Sequence, residues 1–188
     1  MVNKVYLSAQ ELLEDSFRLA IEVYNSGFRP DFIVGVWRGG TPVGIAVQEL
    51  LETLDVKTDH ISIRTSSYTG IDSRAKEVRV HGLDYLIRNV NAPDSLLIVD
   101  DVFDTGLSVE AVIKTLKEKA RLNTPHDIRI ATPWYKPANN KTEGLVPDYF
   151  IHESSEWLVF PHELQGLTRE EAITNKPGLK EIYEEYGM

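Results

Sequence analysis

The stretch that most limits what this chain can become is Leu96-Leu97-Ile98-Val99-Asp100-Asp101-Val102-Phe103-Asp104-Thr105-Gly106-Leu107-Ser108. Four consecutive apolar residues without alternation fit a strand buried on both faces, the habit of parallel sheets covered by helices. Two aspartates follow at once, and adjacent carboxylates repel unless a cation or hydroxyl donors share them. Small and hydroxylated residues then lead into a helix expected from about Ser108 to Leu122. Its free amides and positive dipole end suit a phosphate, at about 0.3–1 kcal/mol per charge and up to ~2 when partly buried. Asp-Thr-Gly alone would be an acidic turn with Thr105 or Ser108 as helix cap; the strand–loop–helix setting makes it more. No Gly-x-x-x-x-Gly-Lys-Ser/Thr pattern occurs, so this is not a Walker loop.

The rest of the chain repeats the alternation. Ser8-Ala9-Gln10-Glu11 has the form of a capping box opening a helix to Gly27, with Leu12, Leu13, Ala20, Ile21, Val23 and Tyr24 largely on one face. Phe32 to Trp37 reads as a buried strand meeting the tight Arg38-Gly39-Gly40 loop. Thr41-Pro42 supplies a cap and a first-turn proline for a helix through about Leu54. His60 to Arg64 alternates like a strand, and the polar residues 65 to 80 read as a long mobile loop. Ile128 to Ala131 and Tyr149 to Ile151 are further strands, separated by a loop around Lys136 to Pro147. The tail is expected to be helical from Thr168-Arg169-Glu170-Glu171, broken at Lys176-Pro177. The expected fold is α/β: a doubly wound, mostly parallel sheet with helices on both faces, its ligands outside the carboxyl ends of the strands.

Composition narrows the function. The 188 residues fit one domain, and 20 Lys and Arg against 29 Asp and Glu give a net charge of −9. Such a surface argues against nucleic acid and against anionic membranes, both of which want basic stripes. With no cysteine, neither disulfides nor thiolate metal sites can form. The start of the chain lacks an apolar signal core, and no run approaches membrane-spanning length, so a cytoplasmic location is expected. The five histidines show no metal-ligand spacing, and no nucleophile motif appears.

The stretch from Leu96 to Ser108 resembles the signature by which type I phosphoribosyltransferases bind phosphoribosyl pyrophosphate (PRPP). The resemblance implies that Asp100 and Asp101 hold the ribose hydroxyls and associated magnesium. It implies that Asp104, Thr105, Gly106, Leu107 and Ser108 wrap the 5′-phosphate. An Asp at position 104 is similar to the 6-oxopurine branch, the xanthine-guanine and hypoxanthine enzymes, where it handles the proton at purine N7. Residues Gly35 to Pro42 resemble the family's pyrophosphate loop, with Arg38 and Gly39 as its contacts and a peptide that is often cis at Trp37–Arg38. Ser67 and Tyr68, followed by Arg74 and Lys76, resemble the flexible loop that closes over PRPP. Lys136, Trp157 and Leu158 match base-binding positions: a lysine toward the 6-oxo group, a stacking aromatic and a main-chain carbonyl. Glu163 matches a carboxylate that helps hold magnesium.

The fold implied is a single phosphoribosyltransferase domain over 1–188, with a PRPP-binding core at about 28–135 and a base-binding hood mainly from 136–165. The activity implied is magnesium-dependent conversion of PRPP and a 6-oxopurine to a nucleoside monophosphate and pyrophosphate, in a homo-oligomer (dimer or tetramer). Two alternatives stay open: a PRPP-sensing regulator of the same fold without turnover, or an enzyme for adenine or a pyrimidine. Regulators of that kind usually add a DNA-binding domain, and nothing basic or helix-turn-helix-like is left over here.

Overall fold

The computed structural model describes residues 4–68 and 77–188. They form two compact units: the described residues of 13–155, and a smaller one made of residues 4–12 with 156–188. A strand β1 (Lys4–Tyr6) precedes helix α1 (Ala9–Asn25). The capping box forms as expected: Ser8 Oγ accepts the Glu11 N–H at 3.1 Å, and the Glu11 carboxylate accepts the Ser8 N–H at 2.8 Å. Helix α1 buries Leu12, Leu19, Ala20 and Val23, while Leu13 and Ile21 remain 42% and 38% exposed. The apolar face is thus narrower than expected. At about 100° per residue, Leu13 and Ile21 project beside the stripe defined by Leu12 and Ala20.

The larger unit is built on seven strands: β2 (Phe32–Trp37), β3 (Asp59–Tyr68), β4 (Glu77–His81), β5 (Ser95–Val99), β6 (Val102–Phe103), β7 (Asp127–Tyr135) and β8 (Tyr149–Glu153). The order is β4-β3-β2-β5-β7-β6, with β8 also beside β7. Every pairing is parallel except β3 with β4. Alternation along the strands serves two faces. Phe32, Val34, Val36, Leu96, Ile98 and Ile130 form one core with Leu86 of α3 (Asp84–Asn89) and with Val109, Val112 and Leu116 of α4 (Leu107–Ala120). Ile33, Leu97 and Val99, equally buried, point the other way. Helix α2 (Gly40–Thr53) packs against β2 and β5.

Two sequence expectations are corrected here. Thr41 does not cap α2: Gly39 is the N-cap, no side chain caps it, and the Thr41 hydroxyl lies 3.2 Å from Ser62 Oγ. The helix begins early because the two glycines turn tightly under the strand end described below. Residues 65 to 80 are not wholly a loop. Thr65 to Tyr68 prolong β3 and pair with Glu77 to Val80, because hydroxylated and aromatic residues suit a strand even without apolar alternation. Residues 69–76, and with them Arg74 and Lys76, lie outside the described residues. Helix α3 and the short strands β1, β6 and β9 (Trp157–Val159) have no counterpart in the sequence reading.

In the smaller unit β1 pairs in parallel with β9, Val5 level with Leu158. The tail forms α5 (Arg169–Asn175) and α6 (Leu179–Glu185), with the expected break between them. Thr168 and Glu171 close a second capping box, and Lys4 Nζ reaches Glu171 at 2.7 Å.

Candidate active site

Strands β2 and β5 lie side by side with Gly35 level with Val99, so the loops leaving both strands open on one edge of the sheet. The Trp37–Arg38 peptide is cis, as the resemblance implied. Beyond it, Gly39 and Gly40 are buried against the acidic strand end while Arg38 is exposed. A Cβ on Gly39 would overlap the Asp101 carboxylate; one on Gly40 would overlap the Val99 carbonyl and stand 2.7 Å from Asp100 Cα. Arg-Gly-Gly is therefore glycine for close approach, and the two loops form one structure.

Asp100 is half-buried as a residue, but its carboxyl lies against Gly40 and accepts the Asp101 N–H at 2.9 Å. It is the carboxyl's own burial that governs its proton. That burial first, and the neighbouring Asp101 charge second, push the Asp100 carboxyl well above the usual carboxylate range; the amides of Asp101 and Gly40 oppose this without cancelling it. The pair sets two carboxyl groups side by side at the strand end. A hard, oxygen-seeking cation fits such a donor set. Among the described residues no group of three or more His, Asp or Glu forms a complete metal cage.

Five residues beyond Asp101, the chain turns into α4 through Gly106, which has φ 75° and is the helix N-cap without a side-chain cap bond. A Cβ there would come within 2.7 Å of Phe103 Cζ and 2.9 Å of Thr142 Cγ2. The first amides of α4 thus border a hollow of about 80 Å³ lined by Asp100, Asp104, Thr105, Gly106 and Ser108. The Thr65 hydroxyl lies 3.4 Å from Ser108 Oγ, placing the end of β3 beside it. A larger hollow of about 280 Å³, lined by Ile45, Gln48 and His60 among others, contains none of Asp100, Asp101 and Asp104; here chemistry rather than volume marks the site.

The loop after β7 closes on the same place. The Lys136 N–H donates to the Phe103 carbonyl at 2.9 Å and the Lys141 N–H to the Thr105 carbonyl at 3.0 Å. Between these anchors Lys136 Nζ stands 3.7 Å from Asp104 Oδ2, and Asn139 Nδ2 donates to Asp104 Oδ1 at 2.7 Å. The Lys136 residue is 9% exposed. Asp100, Asp101, Asp104, Thr105, Gly106, Ser108, Gly39 and Lys136 thus lie in one connected set of loops. Asn139 was missed. Its only sequence signal is its place three residues after Lys136, in a Lys-Pro-Ala-Asn run that suits a tight turn.

The remaining candidates belong to other elements. Ser67 and Tyr68 end β3, where their backbone pairs with Val78 and Glu77. Trp157 and Leu158 belong to the smaller unit, the first 54% exposed and the second buried. In the same unit Glu163 Oε2 accepts the Phe160 N–H at 3.2 Å, and the buried Lys176 donates to the Phe160 carbonyl at 2.6 Å. Burial lowers the Lys176 ammonium's pKa against the opposing charge of Glu163.

Comparison with known proteins agrees with this geometry. The family model described as the phosphoribosyl transferase domain matches residues 3–164. No curated protein matches the chain. Among solved structures, a purine phosphoribosyltransferase from Pyrococcus horikoshii is 28% identical, with a TM-score of 0.66 over 88% of this chain and 98% of that one. A Helicobacter pylori xanthine-guanine-hypoxanthine phosphoribosyltransferase is 22% identical, with a TM-score of 0.66 over 97% and 99%. A hypothetical protein from Neisseria gonorrhoeae with bound ppGpp is 20% identical, with a TM-score of 0.71 over 88% and 92%. With its parallel sheet, its acidic strand end and most of its length matched, the chain belongs to the type I phosphoribosyltransferase family of glycosyl-transferring enzymes.

Proposed function

We propose that the protein is a purine phosphoribosyltransferase that joins hypoxanthine, guanine or xanthine to PRPP and releases pyrophosphate. The observation that carries this reading is the Asp104–Lys136 pair: an acceptor and a donor, from two loops tied together, beside the acidic strand end. In the reaction the bond from C1′ to pyrophosphate breaks, the bond from C1′ to a purine nitrogen forms, and Asp104 takes the proton from N7. Lys136 is a pure donor and suits the acceptor oxygen at C6. Asp100 and Asp101 accept from the ribose hydroxyls, the amides around Thr105 to Ser108 hold the 5′-phosphate, and Arg38 with Gly39 faces the diphosphate. Asp100 and Asp101 would also hold magnesium, which when bound would offset the charge of the departing pyrophosphate.

Four further assignments rest on resemblance alone. Trp157 would stack on the base and Leu158 would offer its carbonyl to the 2-substituent. Glu163 would contact magnesium, and the segment containing Ser67, Tyr68 and Arg74 would exclude water from the charged transition state. The name of the Pyrococcus relative, a purine phosphoribosyltransferase, supports the substrate class.

A panel of bases with PRPP and magnesium, followed by pyrophosphate release, tests the reading. Adenine presents an amino donor to Lys136, and sites built on such polar pairings discriminate by ~10⁴ or better. Turnover with a 6-oxopurine and near-silence with adenine are expected. Comparable kcat/KM for adenine would remove Lys136 from base recognition. PRPP binding without turnover of any base would make the protein a sensor.

A further inference from the structure

Asp104 has two oxygens, and different neighbours engage them. Oδ1 accepts from Asn139 Nδ2 at 2.7 Å; Oδ2 faces Lys136 Nζ at the looser distance of 3.7 Å. A carboxylate on a loop would otherwise turn about its last torsion, which is broad and roughly two-fold. Asn139 can stop that rotation because it is itself fixed. It ends the single turn Pro137–Asn139, in which its N–H donates to the Lys136 carbonyl at 3.0 Å. On either side, the amides of Lys136 and Lys141 are pinned to the carbonyls of Phe103 and Thr105, the residues flanking Asp104.

From this juxtaposition we infer that Asn139 is a positioning residue for Asp104: its amide holds Oδ1 so that Oδ2 is presented as the proton acceptor. The inference rests on the reading of Asp104 as the group that takes the base proton. A short bond on Oδ1 and a long one on Oδ2 is the asymmetry such a task needs. The held oxygen sets the plane of the carboxylate, and the looser ion pair can yield Oδ2 and the ammonium to an incoming base. Asn139 makes this contact as a donor, since an ionised carboxylate can only accept. A misplacement of about 1 Å in a reacting group can cost on the order of 10²-fold in rate, so losing this one amide has a measurable consequence.

The test uses the full chain with PRPP, magnesium and the best base of the panel. Asn139→Ala should lower kcat by roughly 10–100-fold while the KM for PRPP stays within about twofold. Asn139→Asp keeps the size and removes the donor, and should be at least as impaired; a role in packing alone would leave it near normal. In an Asp104→Asn background, Asn139→Ala should change kcat by no more than about twofold, because the two residues act as one unit. Equal effects of Asn139→Ala in both backgrounds, or an active Asn139→Asp, would overturn the inference while leaving Asp104 in the mechanism. Normal turnover by the Asp104→Asn single variant would instead remove the reading beneath, and this inference with it.

Discussion

Unfolding releases Asp100 into water, where an Asp carboxyl titrates at about 3.9. In the folded chain, burial and the Asp101 charge keep the proton on to higher pH. As pH rises past the ordinary value, the unfolded state loses this proton first, so native stability falls until the folded group also ionises; beyond that the full cost remains. Asp100→Asn keeps an oxygen able to accept the Asp101 N–H and removes the charge. Its denaturation midpoint should exceed that of the parent protein at pH 8, and the two should converge toward pH 4. A gap of constant size across that range would exclude ionisation as its cause. The same residue scale shows how far sequence reading reaches. Asp100, Asp101, Asp104 and Gly39 were legible as charges at a strand end and a glycine for close approach, whereas Lys136 was legible only through its resemblance to a family position. Asn139 was not, because an asparagine in a polar loop becomes informative only when Asp104 is seen 2.7 Å away.

At the scale of elements, the strand end and the glycine turn are interlocked by contacts of two kinds. The atoms nearest a Cβ on Gly39 belong to the Asp101 carboxylate, a side-chain end that can swing aside, whereas those nearest one on Gly40 include the backbone of Val99 and Asp100. Gly39→Ala should therefore fold normally but bind Mg–PRPP on the order of tenfold more weakly, or ~1.4 kcal/mol, by calorimetry. Gly40→Ala should lose about 1–3 kcal/mol of stability through overpacking, read by denaturant titration. The reverse order of effects would contradict the packing seen at these two positions. Most elements were legible where apolar periodicity or a capping box marked them: α1, β2, β5, α4 and the broken tail. The ends of β3 and the whole of β4 were not, since a polar edge strand has the composition of a loop and its partner defines it. Strands β1, β6 and β9, of two or three residues each, are too short to show a period.

For the whole molecule, the net charge of −9 means that, on the proposed reading, an anionic substrate would be held by local amides, Arg38 and a cation rather than by the overall field. Saturation with PRPP should therefore stabilise the protein strongly only when magnesium is present. At 100 times Kd the gain is about 2.7 kcal/mol, or roughly 5–10 °C in Tm for a chain of this size. Adding a chelator should abolish most of that shift in thermal denaturation; a shift indifferent to the chelator would remove the metal from PRPP binding. The sequence by itself determined the α/β class, the mostly parallel sheet and the acidic loop at the carboxyl ends of its strands, because strand burial, helix caps and paired charges are local and leave local marks. Tertiary structure alone decided which loops meet there. The fit of Gly39 and Gly40 under the aspartates, the raised Asp100 proton affinity and the clamp of Asn139 and Lys136 on Asp104 all arise between segments distant in the chain. Such contacts depend on positions set to within an ångström by the packed sheet, and no pattern of residue types along a single segment encodes them.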